Sequence, residues 1–249
     1  MKVAIIPPSS YIGKWDISDI HLILAHKLKE DKKYYEGYKK VKGYKIVDNG
    51  AFEGRTTSFG EVVKLAEELG ANEVQLPDYM YDYKRTYKEA TKALEKYSDI
   101  KFKIQFVIQG KNFEEFKKAV DFAMNNNFVL GIPFLPSKKV FKKEFAPREP
   151  LLAWIAKEYG EDSLKNVHLL GCNDVFEFHS YLYQRCRSMD TTFPIKLGIF
   201  KKKLPTLEDV SRPENYFDIN NLSKEQIDYI IHNVTYIKQV IKNAETYVL

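Results

Sequence analysis

Short apolar runs alternate along this chain with longer amphipathic stretches, at a spacing of roughly 25–30 residues. KVAIIP (2–7), KIVDNG (45–50), EVQLPD (73–78), FKIQFVIQG (102–110), FVLGIP (128–133) and NVHLLGC (166–172) read as buried strands, and SMD (188–190) as the end of a seventh. Between them lie helical patterns. In 16–31, Ile20, Ile23, Leu24 and Leu28 recur at helical spacing. The stretch after Ser58 runs to a stop at Gly70, 85–97 follows, and 112–126 opens on Asn112 as its cap. The patterns at 149–160, 174–186 and 224–244 complete the series. Strand and helix taking turns in this way imply a parallel sheet. An open doubly wound sheet announces itself with a glycine-rich loop after its first strand. Here PPSS stands there instead, and neither GxGxxG nor GxxxxGK[ST] occurs. The expected fold is therefore α/β, one (β/α)8 barrel over 1–249 with 224–244 as a closing C-terminal helix. KLGIF (196–200) stands either as the eighth strand or as part of the seventh unit.

Such a barrel carries its site at the C-terminal ends of its strands. The residues there are Asp48, Asn49 and Gly50, then Asp78, Gln109 and Gly110, then Gly131 and Pro133, then Gly171, Cys172 and Asn173, and last Asp190. Carboxylates, amides and glycines dominate. The five histidines form no HxH or HExxH pair, which argues against a barrel metallohydrolase. No serine sits in a GxSxG elbow, and Cys172 has no histidine at another strand end to activate it, so a packed thiol is its expected role. Two cysteines make no disulfide framework and fit a reducing, cytoplasmic compartment. The apolar start is too short for a signal peptide, and no run approaches the length of a membrane span.

Aspartates at strand ends suit displacement at an anomeric carbon, where one carboxylate attacks and another group moves the proton. An amide and a further carboxylate can read the edge of a purine. Each residue also has a plainer reading. Asp48 in DNG and Asp78 after Pro77 are ordinary turn or cap residues, and Asp190 can cap a turn through Thr191 and Thr192. A net charge of +5 is compatible with a polyanionic partner and does not demand one. The Lys- and Tyr-rich stretch 31–44 reads either as a strand-holding surface or as a solvated loop beside a helix.

The ordered set IVDNGAFEG (46–54), LPDYMYD (76–82), FVIQG (106–110), VLGIPF (129–134), HLLGCND (168–174) and RSMDTTFP (187–194) resembles the tRNA-guanine transglycosylase superfamily. Its closest likeness is to the compact phage and bacterial members that insert 7-deazaguanine bases into DNA. The likeness runs from about residue 3 to about residue 200 and rests on order and strand-end placement rather than on one strong motif. It implies Asp190 as covalent nucleophile and Asp48 as general acid/base. It implies Asp78 (or Asp82, one turn on), Gln109 and Gly110 as the groups that recognise guanine or its deaza analogue, with a backbone contact from Gly131. Asn49 and Gly171 join them on the substrate rim, and Lys39, Lys40 and Arg187 are the expected nucleic-acid contacts. The CxCxxC zinc subdomain of the tRNA enzymes has no counterpart here, so no zinc or other cofactor is expected. Its absence favours DNA over tRNA, with a 7-deazaguanine such as preQ0 as the entering base. A homodimer or a helper protein is compatible with the sequence. Three other readings stay open: a tRNA enzyme, a non-catalytic nucleic-acid-binding barrel, and a free-nucleoside hydrolase.

Overall fold

A computed structural model describes residues 1–208 and 210–246. In chain order its strands are β1 (Lys2–Ile5), β2 (Ile20–Leu24), β3 (Tyr44–Asp48), β4 (Glu73–Gln75), β5 (Lys103–Val107), β6 (Val129–Pro133), β7 (Val167–Leu170) and β8 (Ser188–Thr191). Among the described residues these eight form one all-parallel sheet in the order β1-β8-β7-β6-β5-β4-β3-β2. Its two edges return to each other, and the β1–β2 seam is bridged by a side chain, the Val3 N–H donating to Ser18 Oγ at 3.1 Å. The fold is a (β/α)8 barrel, as expected.

The helices are α1 (Ala25–Glu30), α2 (Lys32–Lys40), α3 (Phe59–Glu68), α4 (Tyr83–Lys96), α5 (Phe113–Asn125), α6 (Phe134–Phe141), α7 (Glu149–Tyr159), α8 (Phe176–His179), α9 (Tyr181–Arg185), α10 (Phe193–Ile199) and α11 (Lys224–Thr246). Asn112 caps α5 by accepting from the Glu115 N–H, and Asp31 caps α2 through the Lys33 and Tyr34 N–H groups. The last helix is stapled down by Asn233. Its Oδ1 accepts from Leu204 N–H, and its Nδ2 donates to the carbonyls of Pro194 and Lys202.

Four expectations are corrected. The stretch 16–31 is not one helix: IHLIL is β2, and the helix begins at Ala25. All five residues of β2 are buried, as a strand facing both the barrel interior and the helix layer must be, and a short apolar run of that kind has no periodicity to tell it from a helix. With β2 counted, the strand holding Asp190 is the eighth. Residues 196–200 are then free to be helical, and Pro194 in the first turn of α10 is well placed for that. The stretch 174–186 breaks at Ser180, whose backbone is extended, into α8 and α9. The 31–44 stretch contains α2, in which Tyr34 and Tyr38 are fully buried against each other and Phe217 rather than offered to a partner.

Strand residues alternate between barrel interior and helix layer. The interior set includes Tyr44, Ile46 and Asp48 of β3, Glu73 and Gln75 of β4, and Gln105 and Val107 of β5. It continues with Gly131 and Pro133 of β6, His168 and Leu170 of β7, and Ser188 and Asp190 of β8. At the C-terminal end of each strand the last interior residue reaches one cavity: Asp48, Gln75, Val107, Pro133, Leu170 and Asp190 all line it.

Candidate active site

That cavity has a volume of about 440 Å³ and opens at the C-terminal mouth of the barrel. It gathers Asp48, Asp78, Gln109, Gly171 and Asp190, and adds Glu53, Gln75, Lys196 and Arg212.

Asp78 is buried and held between two amides. Its Oδ1 accepts from Asn49 Nδ2 at 2.7 Å and its Oδ2 from Gln109 Nε2 at 2.7 Å. Burial pushes its carboxyl above the usual range, and the two amide donors oppose the shift. Asn49 is itself fixed, donating also to Leu76 O and accepting from the Ala51 N–H. Gln109 Oε1 accepts from the Tyr81 N–H at 3.0 Å. Asn49 is buried and does not line the cavity, so it acts through Asp78 rather than on the rim. Asp82 is elsewhere: it caps α4 by accepting from the Arg85 N–H.

Asp48 ends β3 with part of its surface open to the cavity. Its Oδ1 accepts from the Gly50 N–H at 2.5 Å, a contact that needs the tight DNG turn with Gly50 at φ +81°. Burial first, and then the carboxylates of Glu53, Asp78 and Asp190, push the Asp48 carboxyl well above its ordinary value. The shift favours the protonated form. Glu53 is pushed up by burial too, with Arg212 opposing through a 3.1 Å ion pair.

Asp190 is 4% exposed. Its Oδ1 accepts from the Gly171 N–H at 3.1 Å and from His168 Nε2 at 3.2 Å. Its Oδ2 accepts no hydrogen bond among the described residues. Gly171 offers that N–H from a left-handed turn, φ +69°, which a side chain would strain. Sequence reasoning passed over His168 because it is not at a strand end. The signal was the two-residue spacing: His168 shares a face with Leu170, as Ser188 does with Asp190, and the register sets His168 beside Ser188.

Other expected residues lie apart. Gly110 and Gly131 do not line the cavity. A Cβ on Gly110 would meet Glu115 Cβ at 2.8 Å, and one on Gly131 would meet Gln105 Oε1 at 3.0 Å, so both glycines answer to packing. Cys172 lines the wall, but burial pushes its thiol well up, which fits a packed and unreactive sulfur. Lys39 and Lys40 end α2, whose C-terminus leads into the start of β3, and Arg187 precedes β8. All three are therefore at the opposite end of the barrel from the mouth. There Arg187 pairs with both oxygens of the fully buried Glu73. The exposed groups at the mouth include Phe52, 60% exposed, and Lys139, which lies over the Tyr81 ring at 4.4 Å.

Among the described residues no three His, Cys, Asp or Glu side chains come together as a metal-binding group, and no helix is long and apolar enough to cross a membrane. No family model and no curated protein matches this chain.

Proposed function

We propose that this barrel exchanges a nucleic-acid base at an anomeric carbon, replacing guanine in DNA with a 7-deazaguanine such as preQ0. The observation that carries the reading is the pairing of two unlike carboxyl groups on one cavity. Asp190 is held through Oδ1 while its Oδ2 accepts no hydrogen bond among the described residues, and burial with acidic neighbours pushes the Asp48 carboxyl upward. A carboxyl raised in this way is suited to carry a proton, and a second one with an open oxygen is suited to attack.

The steps follow from those positions. The target nucleotide leaves the stack and enters the mouth, because its C1′ is out of reach inside a duplex. Asp190 Oδ2 attacks C1′, the C1′–N9 bond breaks, and Asp48 gives its proton to the departing guanine. Asp78 and Gln109 take the purine edge, with Asp78, braced by Asn49, accepting from base N–H groups. The entering 7-deazaguanine loses its N9 proton to the Asp48 carboxylate. Its N9 then attacks C1′, and Asp190 leaves as the free carboxylate. Phe52 and Lys139 are the mouth groups suited to stack on a flanking base and to meet a phosphate. A cytoplasmic setting fits the two free, buried thiols.

The test is incubation with guanine-containing DNA or with tRNA and isotope-labelled preQ0, followed by digestion to nucleosides and mass spectrometry. Label in DNA supports the proposal, and label in tRNA moves the substrate. Binding of DNA with label in neither would make the chain a non-catalytic barrel, and guanine released from free guanosine would make it a hydrolase. Asp190→Ala abolishes exchange and any covalent adduct, and a variant that stays active would overturn the nucleophile assignment.

A further inference from the structure

The interior of this barrel is not the stack of branched apolar layers that such barrels usually hold. Seven polar side chains run through it in an unbroken series. From the mouth downward, Gln75 Nε2 donates to Gln105 Oε1 at 2.6 Å, and Gln105 Nε2 donates to Glu73 Oε1 at 2.9 Å. At the closed end Glu73 also accepts from Arg187 Nη1 at 2.7 Å, from Nη2 at 3.0 Å, and from the Tyr44 hydroxyl at 2.7 Å. The series then climbs back. Arg187 Nε meets Ser188 Oγ at 3.2 Å, Ser188 Oγ meets His168 Nδ1 at 2.8 Å, and His168 Nε2 meets Asp190 Oδ1 at 3.2 Å. Glu73, Gln105, Ser188 and His168 are fully buried.

The order of groups in the ascending arm suits one arrangement of its protons. A guanidinium has only donors, so Ser188 Oγ accepts from Arg187 and has its own proton to give. In the arrangement we assign, that proton goes to His168 Nδ1 as the accepting nitrogen. The ring N–H at Nε2 then points at Asp190 Oδ1. Glu73 cannot swivel, because four donors hold it, and so Arg187 at the head of the arm cannot either. The arm fixes one oxygen of Asp190 and leaves the other facing the cavity.

We infer that Arg187, Ser188 and His168 are positioning residues for Asp190, a hydrogen-bonded arm that starts at the closed end of the barrel and sets the orientation of the attacking carboxylate at the mouth. The attacking role rests on the function proposed above, whereas the orientation of the carboxylate does not. Partly satisfied networks in a low-dielectric interior are costly, and this one is satisfied at each step. Gly131 contributes space: its missing Cβ leaves room for the Gln105 amide on the descending arm.

The experiment compares the parent protein with H168Q, H168L and S188A. Glutamine can return an N–H near the position of the imidazole Nε2, and leucine cannot. In the parent, imidazole ¹⁵N NMR at neutral pH is expected to show His168 with protonated Nε2 and bare Nδ1, and S188A is expected to lose that single tautomer. An Nδ1–H tautomer in the parent would overturn the inference. Crystals of H168L should show the Asp190 carboxylate rotated or split between conformers, while H168Q holds it as in the parent. An unmoved carboxylate in H168L also overturns the inference. If the parent exchanges bases, H168L should lower kcat by about 10²-fold with KM for DNA little changed, since misplacing a reacting group by about 1 Å costs that much. H168Q should recover most of the loss. A fall confined to KM would make His168 a packing residue. If the parent exchanges no base, the proposed function fails by itself, and the NMR and crystallographic results still decide whether the arm holds Asp190.

Discussion

Arg148 gives the sharpest test of how the strand ends beside the cavity are held. It is fully buried, with Nε and Nη2 donating to the two oxygens of Glu177 at 2.8 and 2.6 Å, and Glu177 is fully buried as well. Its Nη1 donates to Ile132 O and Leu170 O, both at 2.9 Å, tying the ends of β6 and β7 together just below Pro133 and Gly171. Arg148→Met keeps much of the volume and removes every donor. The unpaired buried carboxylate costs about 3–5 kcal/mol, and each orphaned carbonyl adds about 1 kcal/mol. The total of about 5–7 kcal/mol is comparable to the whole folding free energy of about 5–15 kcal/mol. Arg148→Met should therefore be marginal or unfolded in urea titrations at neutral pH. Glu177→Leu alone should also lose about 3–5 kcal/mol, by stranding the guanidinium. The double variant leaves just the carbonyls unpaired and should lie within about 3 kcal/mol of the parent, far less than the sum of the single losses. A loss under about 1 kcal/mol in Arg148→Met, or a double variant that loses the full sum, would refute the account.

Four further outcomes follow from the same geometry. Burial holds the His26 imidazole down at about 4, so the unfolded chain takes up the proton first; stability is full above pH 6.5 and falls as pH drops toward 4. With allowance for its partial contact with solvent the loss is about 1–2 kcal/mol, read as thermal midpoint against pH, and His26→Leu should flatten the curve. Gly50→Ala would place a Cβ 2.5 Å from His26 Nδ1 at φ +81°, and should lose about 1–3 kcal/mol in a urea titration. Asn49→Leu removes one donor from Asp78 and should weaken calorimetric binding of free 7-deazaguanine by about tenfold. Base departure needs the protonated Asp48, so its rate should fall as pH rises through that group's raised range. Asp48→Asn should lose that limb and about 10²–10⁴-fold in rate, and a variant with an unchanged profile would remove Asp48 from the mechanism.

Alternation of apolar and amphipathic stretches was enough to read the barrel, because a parallel strand buried on both faces is a short apolar run, as in KIVDNG and FVLGIP. The same property hid β2. IHLIL runs straight into AHKLKE, with no polar break between strand and helix, and the joined pattern passes for one amphipathic helix. In the site, Asp48, Asp78, Gln109 and Asp190 were legible because they lie at or just past the ends of strands, and the cavity collects all four. Arg187 was misplaced for a physical reason. It stands three positions before Asp190, and in an extended strand that distance is the height of the barrel interior rather than a side-chain contact. Glu53 and Arg212 were not legible as a pair, since 159 positions separate them and no local pattern reports a contact of that range.

The chemistry proposed for Asp190 depends on the register of β8 more than on any one contact. A slip of one residue would turn Thr191 into the barrel and send Asp190 into the helix layer. The strand is pinned against that at both ends. At its start Arg187 O accepts from the Lys2 N–H, and the Arg187 guanidinium grips Glu73 through both oxygens. At its finish Asp190 O accepts from the Cys172 N–H, Thr191 O accepts from the Ile6 N–H, and Thr191 Oγ1 donates to Cys172 O. The outward residue Thr191 thus locks the parity that leaves the inward residue Asp190 at the mouth. Thr191→Val keeps the shape and removes the side-chain lock, so a loss of Asp190 function there should come with a disturbed β7–β8 ladder in amide hydrogen exchange. A loss with the ladder intact would place the importance of Thr191 somewhere other than register.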